Sequence, residues 1–206
     1  MATETLSANA RRMTRARASL QGRWGMAIGG VVLYWLVAYA VGIVPVLGAI
    51  ASLVLAGAMS VGLARFALSL ARNTGPKVSD VFTGFDRFGT GLGAYLLQGL
   101  FILLWALLLI VPGIIAALSY AMTYYVIAED ASVGPLEAIS RSTAMMRGHK
   151  WELFCLSLRF VGWALLSVLT LGIGFLWLLP YIIVSMAHFY DDVKPATVEH
   201  APVPAT

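Results

Sequence analysis

Charged residues are missing from three long stretches of this chain. No Asp, Glu, Lys or Arg occurs from Trp24 to Ala64, from Phe88 to Ala128, or from Phe160 to Tyr190. A helix crossing ~30 Å of hydrocarbon needs ~20 apolar residues. The first two stretches, 41 residues each, are too long for one span and about right for two. The third has 31, and 40 if Trp151 to Arg159 belongs to it. Each has a reversal signal near its middle: "GIVPVLG" at 42–48, "IVPGI" at 110–114 and "TLGIGF" at 170–175. Proline lacks an amide donor and glycine reaches positive φ cheaply, so both interrupt helices. A single kinked helix of that length would be about 60 Å long, twice the membrane. The pattern predicts an all-α polytopic membrane bundle of six transmembrane helices. They form three hairpins, at about 24–70, 88–128 and 151–190.

Amphipathic segments precede the hairpins. "VSDVFTGFDRF" sets Val78, Val81, Phe82, Phe85 and Phe88 at helical spacing among polar residues. In "GPLEAISRSTAMMRG", Pro135 suits a first helical position, Glu137 the positive end and Gly148 a C-terminal cap. Its apolar positions are Leu136, Ile139, Thr143 and Met146. "LSANARRMTRARASLQG" offers Leu6, Ala10, Met13 and Leu20 against four arginines. Helices of this kind lie in the headgroup plane with the apolar face down.

The hairpins also read as copies of one unit. Arg23-Trp24, Arg87-Phe88 and Lys150-Trp151 open the three hairpins at intervals of 64 and 63 residues. Met59, Met122 and Met186 repeat at 63 and 64. A shared period on two landmarks indicates an internal repeat.

Charge then gives the orientation. Apart from Arg65 near the end of the first hairpin and Arg159 within the third, the basic residues lie before, between and after the hairpins, and the three reversal loops carry no charge. By the positive-inside rule both termini face the cytoplasm, as expected of a multi-pass membrane protein with an even number of spans. Residues 1–23 form a basic cytoplasmic segment with a candidate surface helix, 24–192 the membrane domain and 193–206 a disordered cytoplasmic tail. "AYA" at 38–40 resembles a signal-cleavage site, but the apolar run continues past it into a second span. Composition agrees with a membrane protein: 60% hydrophobic, 12% charged and a mean hydropathy of +0.84. The net charge of +4 points to anionic lipid rather than nucleic acid, because the cations adjoin the spans. The single cysteine, Cys155, excludes an internal disulfide.

Candidate chemistry is sparse. Arg23, Arg141, Arg147, His149, Lys150 and Trp151 are candidate lipid-headgroup contacts. His149 sits between two cations, with no adjoining carboxylate to orient it as a base. Arg159 lies eight residues beyond Trp151, about 12 Å along a helix, where a charge normally pairs, snorkels or lines a cavity. Its candidate partners are Glu152, Glu129, Asp130, Asp191 and Asp192. With Gln98 it forms a candidate intramembrane polar site. "HFYDD" (188–192) offers too few ligands for a metal. No catalytic residues, metal or cofactor are assigned, because the chain carries no nucleophile, zinc or phosphate-loop motif.

From about Val81 to Asp192 four blocks stand out: "DVFTGFDRFG", "YLLQGLFILLWALLLIVPGIIAALSYAM", "SRSTAMMRGHKWELFCLSL" and "LTLGIGFLWLLPYIIVSMAHFYDD". On these the chain resembles a bacterial integral-membrane family classed as a domain of unknown function. The layout is more loosely similar to the membrane domain of some glycerophosphodiester phosphodiesterases, whose catalytic domain is absent from this sequence. The resemblance implies a multi-spanning protein without an assigned activity. Arg159 departs from it, since "LRFVGW" stands where the family looks like "LSFIGW". The expected function is that of a non-catalytic membrane component binding lipid, another membrane protein or a second copy of itself. The alternatives are a small-molecule or peptide transporter or export accessory, and a lipid-active membrane enzyme.

Overall fold

The computed structural model describes residues 2–42 and 45–194, and every regular element in them is helical. Nine α-helices follow in order: α1 (Ala2–Leu20), α2 (Trp24–Gly42), α3 (Pro45–Arg72), α4 (Phe88–Leu108), α5 (Ile110–Tyr120), α6 (Thr123–Glu129), α7 (Pro135–Met145), α8 (Lys150–Leu169) and α9 (Phe175–Val193). A 3-10 helix, Val78–Arg87, leads into α4. The tail expected at 193–206 lies outside the described residues from 195 onward, as do residues 43 and 44 of the first reversal.

Four helical runs are long and apolar enough to cross a membrane: Ala51–Arg72, Val78–Leu108, Ile110–Glu129 and Lys150–Leu169. The pair Ser7–Leu20 and Trp24–Ala40, bent by 98°, makes a fifth if taken as one span. These counts are of the described residues, over which α2 contributes Trp24–Ala40 and enters only with α1, while α9 carries His188, Asp191 and Asp192 in its last turns.

The reversals are set by local chemistry. At Leu109 the backbone is extended, and Pro112 falls in the first turn of α5, where a missing amide costs nothing. Helix α5 then folds back on α4: Phe101 and Tyr120 are 6.3 Å apart, and a Cβ on Gly113 would stand 2.9 Å from Ala106. The turn between α8 and α9 places Leu171 and Gly172 at positive φ. Gly22 does the same where α1 bends into α2. The pairs Arg23-Trp24, Arg87-Phe88 and Lys150-Trp151 each stand where a helix starts.

Helix α3 is the hub, packed on α2, α4, α6, α9 and the 3-10 helix. Its glycines allow backbone to touch backbone. A Cβ on Gly62 would collide with the Val81 carbonyl, one on Gly84 with that of Ala58, and one on Gly57 with that of Gly91. This corrects the α-helical reading of "VSDVFTGFDRF". At three residues per turn, Val81 and Gly84 form the buried column, while Phe82 and Phe85 stack on each other outward.

The other two amphipathic readings hold in part: of the positions expected around α7, Ile139 and Met146 are buried, Thr143 is half-buried and Leu136 is exposed. In α7 itself the buried residues are Ala138, Ile139 and Ser142. Ser142 is buried because α5 and α6 break at Ala121–Met122. Its hydroxyl donates to the Ser119 carbonyl at 2.8 Å and accepts the Met122 amide at 3.1 Å. Ser142→Ala therefore strands two buried backbone groups, a loss of about 1–3 kcal/mol. Thermal unfolding in detergent should show it, against no change for exposed Ser140→Ala. In α1 the buried stripe is Thr5, Asn9, Arg12, Ala16 and Leu20, while Ala10 is exposed. Of the expected apolar positions there, Leu20 is buried and Met13 half-buried, and the side chain of Leu6 lies outside the described residues.

Candidate functional site

The ends of α3, α6 and α9 and the start of α8 bring the chain's charges to one end of the bundle, and α1 lies across them. Arg12 is the centre of this site, only 5% exposed. Its guanidinium donates to Asp192 Oδ2 at 2.8 Å, Glu152 Oε2 at 2.9 Å and Asn9 Oδ1 at 2.9 Å. It also stacks on Phe189, 4.4 Å from the ring centroid. Asn9 donates to the Glu152 carbonyl, and Arg15 adds a second cation on Asp192 at 2.6 Å. Arginine suits this position because its planar fork can serve two carboxylates and a ring face at once. The sequence reading set all the α1 arginines outward. A helical stripe of Thr5, Asn9, Arg12, Ala16 and Leu20 was the signal that could have singled out Arg12.

A second network lies beside the first. Arg72 holds both Asp191 and Glu129. Glu129 also accepts from Lys194 Nζ at 2.9 Å and from the Tyr190 hydroxyl at 2.6 Å. On the connection to α7, Asp130 accepts from Ser132 and Arg141, and Arg141 also holds Glu137. The hydrogen bonds from Ser132, reinforced by Arg141, lower the Asp130 carboxyl to about 2. This contact stabilises the fold above the ordinary carboxylate range and weakens as pH falls toward 2.

The sequence-derived candidates divide accordingly. Arg23 donates to Asn73, and Arg141 is held by its two carboxylates. His149 Nδ1 faces Glu152 Oε1 at 3.5 Å without a hydrogen bond. Arg147 and Lys150 have no ion-pair partner among the described residues, and Trp151 is 62% exposed, stacked on Phe154. Gln98 donates to the Tyr120 carbonyl at the α5–α6 break, with its own carbonyl buried and unpartnered. Arg159 contacts α1 instead, Nη1 to Met13 Sδ at 3.6 Å. The two residues are thus held by different elements. None of the carboxylates expected to pair with Arg159 does so. Glu152 and Asp192 are bound by Arg12, Glu129 and Asp191 by Arg72, and Asp130 by Arg141.

His188 and His149 are likewise separate. His188 Nε2 lies 3.1 Å from the Ser19 hydroxyl. Among the described residues no group of three or more His, Cys, Asp or Glu is placed to hold a metal ion.

The family described as "Protein of unknown function (DUF975)" matches residues 7–119 and again residues 106–197. No curated protein and no solved structure matches the chain.

Proposed function

We propose that this protein, which belongs to the DUF975 family, is a non-catalytic component of a bacterial cytoplasmic membrane that binds anionic lipid at its cation-rich end. The observation carrying this reading is the division of its cations. Arg12, Arg15, Arg72, Arg141 and Lys194 hold carboxylates. Arg11, Arg17, Arg147, Lys150 and Arg159 hold none among the described residues, so their charge is available to headgroups. Exposed aromatic side chains at Trp151 and Phe154 suit the same interface. A belt of exposed Leu103, Trp105, Leu107, Leu165 and Leu169 suits a hydrocarbon surround. On this reading the helices form six spans in three hairpins, with both termini on the cytoplasmic side. A transporter needs Gln98 and Arg159 in one polar cavity, and they contact different elements.

The test is lipid retention. Arg147→Glu with Lys150→Glu should lower phosphatidylglycerol retained through purification at least about tenfold relative to phosphatidylcholine, as ~1 kcal/mol per basic residue implies. Equal retention by wild type and variant would count against the reading.

A further inference from the structure

Below the contact of Phe160 with Tyr181, whose rings are 5.8 Å apart, α8 and α9 separate around a cavity of about 460 Å³. Its walls include Trp24, Trp163, Trp177 and Leu166, with Met13 and Arg17 of α1 across one end. The hydroxyls on its lining are already engaged. Ser167 donates to the Trp163 carbonyl, Thr170 to that of Ser167, and Tyr181 to that of Met13. The surface left to a ligand is therefore hydrocarbon and indole. Trp163, Leu166 and Trp177 are each more than half exposed, so the cavity opens sideways, between helices.

Charge is confined to one end. Arg17 lines the cavity, and Arg159 reaches Met13, which lines it too. Both arginines are near enough for their charges to act on the Tyr181 hydroxyl. Neither has a carboxylate partner among the described residues. From Trp163 to Thr170 the wall continues about 10 Å further along α8 without a charge. A methylene takes about the space of one water, ~30 Å³, so the volume suits roughly one long hydrocarbon chain rather than two.

We propose that this cavity takes one acyl chain of an anionic bilayer phospholipid, entering sideways, with its phosphate at Arg17 and Arg159. The proposal rests on the reading above that this end of the bundle lies at headgroup level, and it gives Arg17 and Arg159 a site of their own, apart from the Arg147 and Lys150 of the retention test. An unpaired arginine two turns into an apolar helix is costly in lipid. A phosphate offers it charge-assisted hydrogen bonds.

Native mass spectrometry of the full chain, extracted from vesicles of phosphatidylglycerol and phosphatidylcholine, tests it. Wild type should keep one phosphatidylglycerol under conditions that strip the rest. Arg17→Gln with Arg159→Gln should bind that lipid roughly tenfold more weakly, the loss expected on removing charge-assisted bonds. Leu166→Trp, at an exposed rim position where misfolding is a small risk, should displace it. Arg147→Glu with Lys150→Glu should leave it bound, so this site and the surface reading fail separately. Retention unchanged in the arginine double variant overturns the proposal, as does equal retention of phosphatidylcholine. Displacement by inorganic phosphate alone would identify a free-anion site and overturn it as well.

Discussion

Replacing Arg12 with leucine should release α1 from the bundle while the remaining helices stay folded. The substitution removes a cation only 5% exposed and leaves Glu152 and Asp192 facing each other without it. Breaking a buried pair this way costs about 3–5 kcal/mol, and the lower figure applies because Asp192 keeps Arg15. The other contacts of α1 are individually weaker: Asn9 on the Glu152 carbonyl, Arg15 on Asp192, Arg159 on Met13, the Tyr181 hydroxyl on the Met13 carbonyl, Ser19 on α3 and α9, and the small apolar seam of Ala16 and Leu20. Limited trypsin digestion reads the outcome. Cleavage after Arg11, Arg15 and Arg17 should become fast in the variant, with the fragment from α2 onward persisting. Arg12→Lys should not restore protection, since a single ammonium cannot bridge both carboxylates in the geometry of a guanidinium fork. Adding Glu152→Gln to Arg12→Leu should recover part of the loss by removing one stranded charge. Unchanged cleavage in Arg12→Leu would mean that the other contacts of α1 suffice to hold the helix.

The second large effect is expected at Gly62. A methyl group there meets the Val81 carbonyl at the tightest contact between α3 and the 3-10 helix. The obstacle is backbone on both sides, so no rotamer change relieves it. Overpacking of this kind costs about 1–3 kcal/mol and occasionally more, and here it falls on the hub of the bundle. Gly62→Ala should lose most of its folded yield in detergent, as judged by size-exclusion chromatography. Gly89→Ala, with nothing within 4 Å of its Cβ, should behave as wild type. A fully folded Gly62→Ala would show that the 3-10 segment can lift away without harm.

The apolar stretches and their breaks were legible in the sequence because hydrocarbon length and the chemistry of proline and glycine act locally. Pro112 and Leu171-Gly172 mark real reversals for that reason. What could not be read locally is which face of a polar helix is buried. Leu136 looked inward and is exposed; Ser142 looked outward and repairs a helix break in α5–α6. Arg12 looked like one cation among several and became the most buried of them, because its partners lie 140 and 180 residues away. The 3-10 pitch of Val78–Arg87 followed from glycine contacts with another helix, which periodicity does not report. Arg159 stands out in the sequence as a charge inside an apolar run, but that it has no carboxylate partner among the described residues depends on Arg12, Arg72 and Arg141 holding the nearby acids.

The separation between Arg12 and its carboxylates also sets an order of events during synthesis. Helix α1 is made well before Glu152 and Asp192, which follow Arg12 by 140 and 180 residues. Until α8 and α9 are in place, α1 lacks the carboxylates that hold Arg12 and keeps only its contacts with α3 and α2. Closing that contact joins segments 180 residues apart, so the Arg12 lock forms only on a chain translated as far as Asp192. A chain cut short before α9 would keep Glu152 but lack Asp192, and with it half of the lock on Arg12.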